Sequence, residues 1–169
     1  MNKFIKLFNI LSVLICLFCG SILAQDNDED LLYVEMLSIL FRNTSSSPNL
    51  NQVCYYGYDG PISIMMNSSD NDIIFSEVNF KNKSANNCKF IYVAKKYVDK
   101  FFSIRDENGI RRKYSGLIIS NYARIIEDGG DILAEIGREN FEITINKKFV
   151  EDKKILINTK IQKFTINIK

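Results

Sequence analysis

The chain has 169 residues, room for one domain of ordinary size, and its 46% hydrophobic and 25% charged residues are those of a globular protein. The count of histidine is 0, which removes imidazole acid–base catalysis, histidine-based triads and most zinc sites. The formal charge of +2 is not gathered into a basic stripe with interleaved aromatics, which argues against a nucleic-acid partner.

Residues 1–24 read as a secretory signal peptide. Lys3 and Lys6 form a basic start, Leu7 to Leu23 is mostly apolar, and Ala24 precedes the polar run Gln25–Asp30, so cleavage is expected between Ala24 and Gln25. An uncut membrane anchor fits less well, because Asn9, Ser12, Gly20 and Ser21 interrupt an already short apolar run. Lipidation at Cys19 fits less well still, since Leu17–Phe18 lacks the small residue expected before such a cysteine. Cleavage takes Lys3 and Lys6 and no acid from 22 basic and 20 acidic residues, so the mature chain, 25–169, is formally neutral. It also takes Cys16 and Cys19. Cys54 and Cys88 remain, an even pair in an exported chain, which favours one disulfide over two buried free thiols.

Asp28–Asn43 is predicted as the first helix, with Asp28 or Asp30 at its positive end and Leu31, Val34, Leu37 (with Met36), Leu40 and Phe41 on one apolar face. Asn43–Asn51, with three serines and Pro48, reads as a loop. Gln52–Tyr58 reads as a strand, and Pro61 opens a short helix, Ile62–Asn67. Asp72–Phe80 alternates as a second strand, Lys81–Asn87 is a polar loop, and Cys88–Ala94 is a near-continuous apolar strand of the parallel-sheet kind.

Lys95–Ile104 carries Tyr97, Val98, Phe101 and Phe102 on one helical face. Asp106–Lys113 is a charged turn, Ser115–Ser120 another buried strand, and Asn121–Asp128 a short loop or helix. Asp131–Ile136 and Phe141–Ile145 make a hairpin through Gly137–Asn140. Lys147–Lys154 reads as a charged helical stretch and Ile155–Ile157 as a short strand. Thr159–Ile168 is either a last helix or an extended tail. The alternation predicts a Rossmann-like three-layer α/β sandwich, a mostly parallel sheet with an antiparallel C-terminal hairpin. In such sheets the first and third strands are neighbours, which brings Cys54 and Cys88 to the same end.

No catalytic residue, cofactor cradle or metal set is predicted: neither GxGxxG nor GxxxxGK[ST] occurs. Asp128-Gly129-Gly130 reads as a turn with positive φ rather than an anion site. Asp26–Asp30 reads as a flexible N-terminus, and Glu127, Asp128, Asp131 and Glu135 as surface charges. Asn43-Thr44-Ser45, Asn67-Ser68-Ser69 and Asn82-Lys83-Ser84 match the glycosylation triplet, as an asparagine-rich chain does by chance.

Cys54, Gly57 and Asp59, then CKFIYVA (Cys88–Ala94), LIIS (Leu117–Ser120) and GGDI followed by FEITIN (Gly129–Asn146), come in the order found in the YfiR family, the DUF4154 domain. The chain resembles that family from Leu31 to about Phe164. Gly129, Gly130, Phe141 and Asn146 match its motif residues, and Cys54 and Cys88 match its cysteine pair on the first and third strands. Lys163-Phe164 stands where paired leucines are expected. The resemblance implies a periplasmic α/β domain without enzymatic activity. The implied partner is the periplasmic part of an inner-membrane diguanylate cyclase, repressed so that cyclic di-GMP falls, or of a sensor kinase. A peptidoglycan-associated outer-membrane lipoprotein would release it. A homodimer is a further expectation. The family's second cysteine pair has no counterpart here, which leaves a structural bridge rather than a redox sensor. Independently, the crevice of an open α/β sheet suggests a periplasmic binding module for a small ligand.

Overall fold

The computed structural model describes residues 28–46, 52–67, 73–80, 87–105, 107–138, 140–148, 153, 155–158 and 164–169. The cleavage site Ala24–Gln25, most of the loop predicted at Lys81–Asn87 and most of the charged stretch Lys147–Lys154 lie outside them.

Helix α1 (28–42) is followed by β1 (Thr44–Ser46), β2 (Gln52–Tyr56), α2 (Gly60–Asn67), β3 (Ile74–Glu77) and β4 (Phe90–Val93). A 3₁₀ turn (Lys95–Tyr97) leads into α3 (Val98–Ser103), then β5 (Leu117–Ser120), α4 (Ile125–Asp128), β6 (Ile132–Ile136), β7 (Phe141–Ile145), β8 (Ile155–Ile157) and β9 (Phe164–Ile168). The main sheet has seven strands in the order β3-β2-β4-β5-β6-β7-β9. The first five in that order run parallel, β7 pairs antiparallel with β6, and β9 pairs parallel with β7. The parallel five follow the flavodoxin-like order 2-1-3-4-5. The three-layer α/β architecture and the β6–β7 hairpin are those the alternation of elements predicted.

Side-chain alternation builds two cores, one on each face of the sheet. Phe90, Tyr92, Leu117, Ile119, Ile132 and Ala134 point to the face covered by α1 and α2. Ile91, Val93, Ile118 and Leu133 point to the face covered by α3 and α4. That is why β4 and β5 are apolar without a period: every residue in both is buried. On the second face Phe101 is enclosed by Tyr56, Phe80, Phe102 and Tyr114, with ring centroids 5.1 to 6.1 Å away. Rings at these spacings add attraction beyond the area they bury.

Cys54 and Cys88 form a disulfide with both sulfurs in this second core, Cα atoms 5.7 Å apart and the residues 34 apart in sequence. It ties β2 to the residue two before β4. On the chain-entropy estimate a loop of this size is worth about 3.5–4 kcal/mol.

Several expectations are corrected. The predicted loop Asn43–Asn51 contains β1, which pairs antiparallel with β8. The Thr44 hydroxyl donates to Leu40 O at 2.7 Å and is buried as α1 ends. A serine-rich run gives no local hint of a partner more than a hundred residues on. Leu31, assigned to the apolar face of α1, is 58% exposed, and Tyr33 fills the core in its place. The C-terminal residues resolve to a strand: β9 adds to β7, so it, and not the hairpin, forms the edge of the sheet. Threonine and isoleucine at its positions suit a pleated surface.

Lys89 is buried beside Cys88. Its ammonium donates to Phe41 O at 3.0 Å and lies 4.4 Å from the Phe41 ring centroid, so it closes the negative end of α1. Burial holds its pKa below the ordinary lysine value.

Candidate functional site at the carboxyl ends of the strands

Among the described residues helices follow the carboxyl ends of β2, β4 and β5, and the loops after β4, β5 and β6 meet the first turn of α1 at that end of the sheet. Ligands of doubly wound sheets bind there, at the switch point where the chain reverses its direction of winding. Here that point lies between β2 and β4.

The switch point itself is closed. Asp59, two residues past Gly57, accepts the Ile62 N–H at 3.2 Å through Oδ1, capping α2, and the Tyr92 hydroxyl at 2.7 Å through Oδ2. This bond fastens β4 to the turn after β2. Gly57 has φ +83°, and a Cβ there would lie 2.2 Å from the Tyr97 ring. Glycine is required for both reasons, and Tyr97 lies flat on the turn. Asp59 and Gly57, matched to the family pattern, are therefore explained by packing and capping.

Open space lies one strand further on. A crevice of about 230 Å³ is lined by Glu29, Asp30 and Tyr33 of α1, Lys95 after β4, Asn121 after β5, and Glu135 and Ile136 at the end of β6. Two buried polar atoms on it have no partner: the Tyr33 hydroxyl and Asn121 Oδ1. Tyr33 is only 3% exposed, with its ring 6.0 Å from that of Tyr92. Burial and the nearby charges of Asp59 and Glu135 push the Tyr33 phenol well above its usual pKa. Burial does the same to Tyr92, with Tyr33, Asp59 and Asp30 adding to it. Both rings therefore stay neutral over the physiological range, and the field around them is negative.

Asp28, Glu29 and Asp30 thus stand in the first turn of α1, where acids favour the helix dipole. Glu135, read from sequence as a surface charge, is exposed and turned to the crevice. Tyr33 and Asn121 carried no signal: Tyr33 looks like another core aromatic, and its unpaired hydroxyl is a fact of packing.

The opposite end of the sheet differs. A basin of about 500 Å³ is lined by Phe102, Arg111, Arg112, Tyr114, Gly129 and Asp131, among others. Asp131, also read as a surface charge, is 1% exposed and pairs with Lys153 at 2.5 Å. Its Oδ2 also accepts the Ile118 N–H at 2.6 Å, while Lys153 donates to Gly116 O at 2.7 Å. Burial pushes the Asp131 carboxyl up and the Lys153 ammonium down, each opposed by the partner's charge. The correction has a physical cause: a carboxylate can be buried where a cation and a backbone N–H converge. The arginines are spoken for: Arg111 donates to Asp128 O and stacks on Phe102, and Arg112 donates to Phe80 O at 2.5 Å.

Three of the motif residues, Gly129, Gly130 and Asn146, belong to this end, while Phe141 pairs with Ile136 at the other. Gly129 ends α4 at φ +101°; its N–H reaches Ile126 O at 3.3 Å, and that of Gly130 reaches Ile125 O at 2.7 Å. This is the paired bonding of a Schellman ending. A Cβ on Gly130 would lie 2.5 Å from Ile125 Cγ1. The Asn146 N–H donates to Asp131 O at 2.8 Å, and Phe141 packs on Phe164 with centroids 5.5 Å apart. Neither these four residues nor the two cysteines line the crevice.

Among the described residues no group of three acidic, cysteine or histidine side chains is placed to hold a metal ion, and no helix is long and apolar enough to cross a membrane. A scan of protein-family models finds no match to this chain, and no curated protein matches it.

Proposed function

We propose that the chain is a periplasmic, non-enzymatic regulator that binds the periplasmic part of an inner-membrane signalling protein, of the diguanylate-cyclase-repressor type found in the YfiR family it resembles. The observation that supports this most is the Cys54–Cys88 disulfide, buried between the first and third parallel strands where that family carries its cysteine pair. A fully buried bridge suits an oxidising compartment and a structural role. The motif residues fit the same reading, since they close a helix and pin a hairpin and none of them lines the crevice.

The test is a pull-down from membranes with the tagged mature chain, joined to a measurement of cyclic di-GMP on overexpression. Recovery of a membrane protein with a periplasmic segment and a cytoplasmic cyclase or kinase domain is expected, with cyclic di-GMP lowered where the domain is a cyclase. Recovery of no such protein contradicts the proposal. A peptidoglycan-associated lipoprotein recovered alongside would supply the releasing partner, and an equilibrium sedimentation run would decide the homodimer.

A second reading is a periplasmic small-ligand-binding module. The crevice at the carboxyl ends of β4, β5 and β6, with its two unpartnered polar atoms, is what favours it.

A further inference from the structure

We propose that this crevice binds a small organic cation, a primary amine or guanidine of diamine size. The inference rests on the second reading and gives it a ligand class. Three acidic residues (Glu29, Asp30 and Glu135) and one lysine, Lys95, line the space, so its formal balance is negative. The helix dipole accounts for Glu29 and Asp30 at the start of α1. It does not account for Glu135, which stands on β6 directly opposite Glu142 of β7, a like-charge pairing that a sheet disfavours.

The independent observation is the pair of unpartnered atoms. Asn121 Oδ1 is an acceptor, and the buried Tyr33 oxygen, from α1, accepts as well as donates. Leaving such groups buried and unpaired is unfavourable, and a ligand rich in N–H donors removes that cost. An ammonium brings three donors and no acceptor, and a guanidinium brings five. A volume of about 230 Å³ admits a molecule of that size and not a dinucleotide. A metal ion fits less well, since the described carboxylates do not gather into a coordinating group.

The test uses the mature protein at low ionic strength, titrated with putrescine and agmatine, with acetate, phosphate and calcium chloride run beside them. Putrescine or agmatine is expected to raise Tm saturably by a few degrees. Tyr33→Phe and Glu135→Gln should each weaken that binding about tenfold, while the ligand-free Tm stays within a few degrees of wild type. Lys95→Glu should tighten putrescine binding. A saturable shift from acetate, phosphate or calcium in place of the amines, abolished in Asn121→Ala, overturns the organic-amine class and leaves the small-ligand reading standing. Amine binding that Tyr33→Phe and Glu135→Gln leave untouched overturns the site. No saturable response to any of the five overturns both.

Discussion

The two halves of the sheet solve the same burial problem differently. In the parallel half, β2 to β6, helices lie on both faces, and β4 and β5 have no exposed residue. In the antiparallel half, β7 alternates buried with less buried positions, and β9 keeps Phe164 and Ile166 half-buried while Thr165, Asn167 and Ile168 stay exposed. One half is a core sheet with a crevice at its carboxyl end. The other is a one-sided extension ending in an open edge. The lesson is that stability and the candidate site reside in the same five strands, and the extension is tied to them through Asp131.

That contrast can be broken by substitution. Ile91→Ala empties a fully buried site in β4 and should cost about 4 kcal/mol in denaturant unfolding. A loss below about 1 kcal/mol would mean that β4 is not at the centre of the core.

Asp131→Ala strands Lys153 and frees the Ile118 N–H, loosening the seam between the halves, for about 3 kcal/mol. Asp131→Asn, which keeps an acceptor, should lose less. Equal losses would show that the charge pair, not the backbone bond, holds the seam.

Tyr92→Phe removes the bond to Asp59 across the switch point and should cost about 1 kcal/mol near neutral pH. Its pH dependence sharpens the comparison. Tyr33 and Tyr92 are raised in the folded protein, and Tyr114 is pushed up to about 12. Above about pH 10 the unfolded chain loses phenolic protons that the folded chain retains. The folded state then binds more protons, so this contribution to stability is complete below that pH and falls as pH rises. Unfolding followed by tyrosinate absorbance should show the decline, shallower in Tyr92→Phe.

The smallest effect belongs to the extension. Ile168→Ala, at a side chain 59% exposed, should change stability by less than about 0.5 kcal/mol. A larger loss would mean that something covers the β9 edge.

How much was legible follows the same division. β4 and β5 were readable because burial on both faces writes an unbroken apolar run, and the hairpin because Gly137–Asn140 separates two matched strands. Cys54 and Cys88 were readable as a pair because only two cysteines lie outside the predicted leader. What sequence concealed depends on contacts distant along the chain: β1 finding β8, Asp131 finding Lys153, and β9 choosing β7 over a helical tail. The crevice was hidden for another reason. Its position follows from strand order, but the closing of the switch point by Tyr92 and Tyr97, and the unpaired Tyr33 hydroxyl and Asn121 Oδ1, are results of packing.

The proposed role requires an exported chain stapled between its first and third strands. Intact-mass measurement of the protein recovered from its own compartment, before and after reduction, tests this directly. The prediction is a chain beginning at Gln25 that gains two hydrogens on reduction, with the fragments bearing Cys54 and Cys88 linked beforehand. A chain retaining residues 1–24, or one beginning at Gln25 with Cys54 and Cys88 as free thiols, would contradict it.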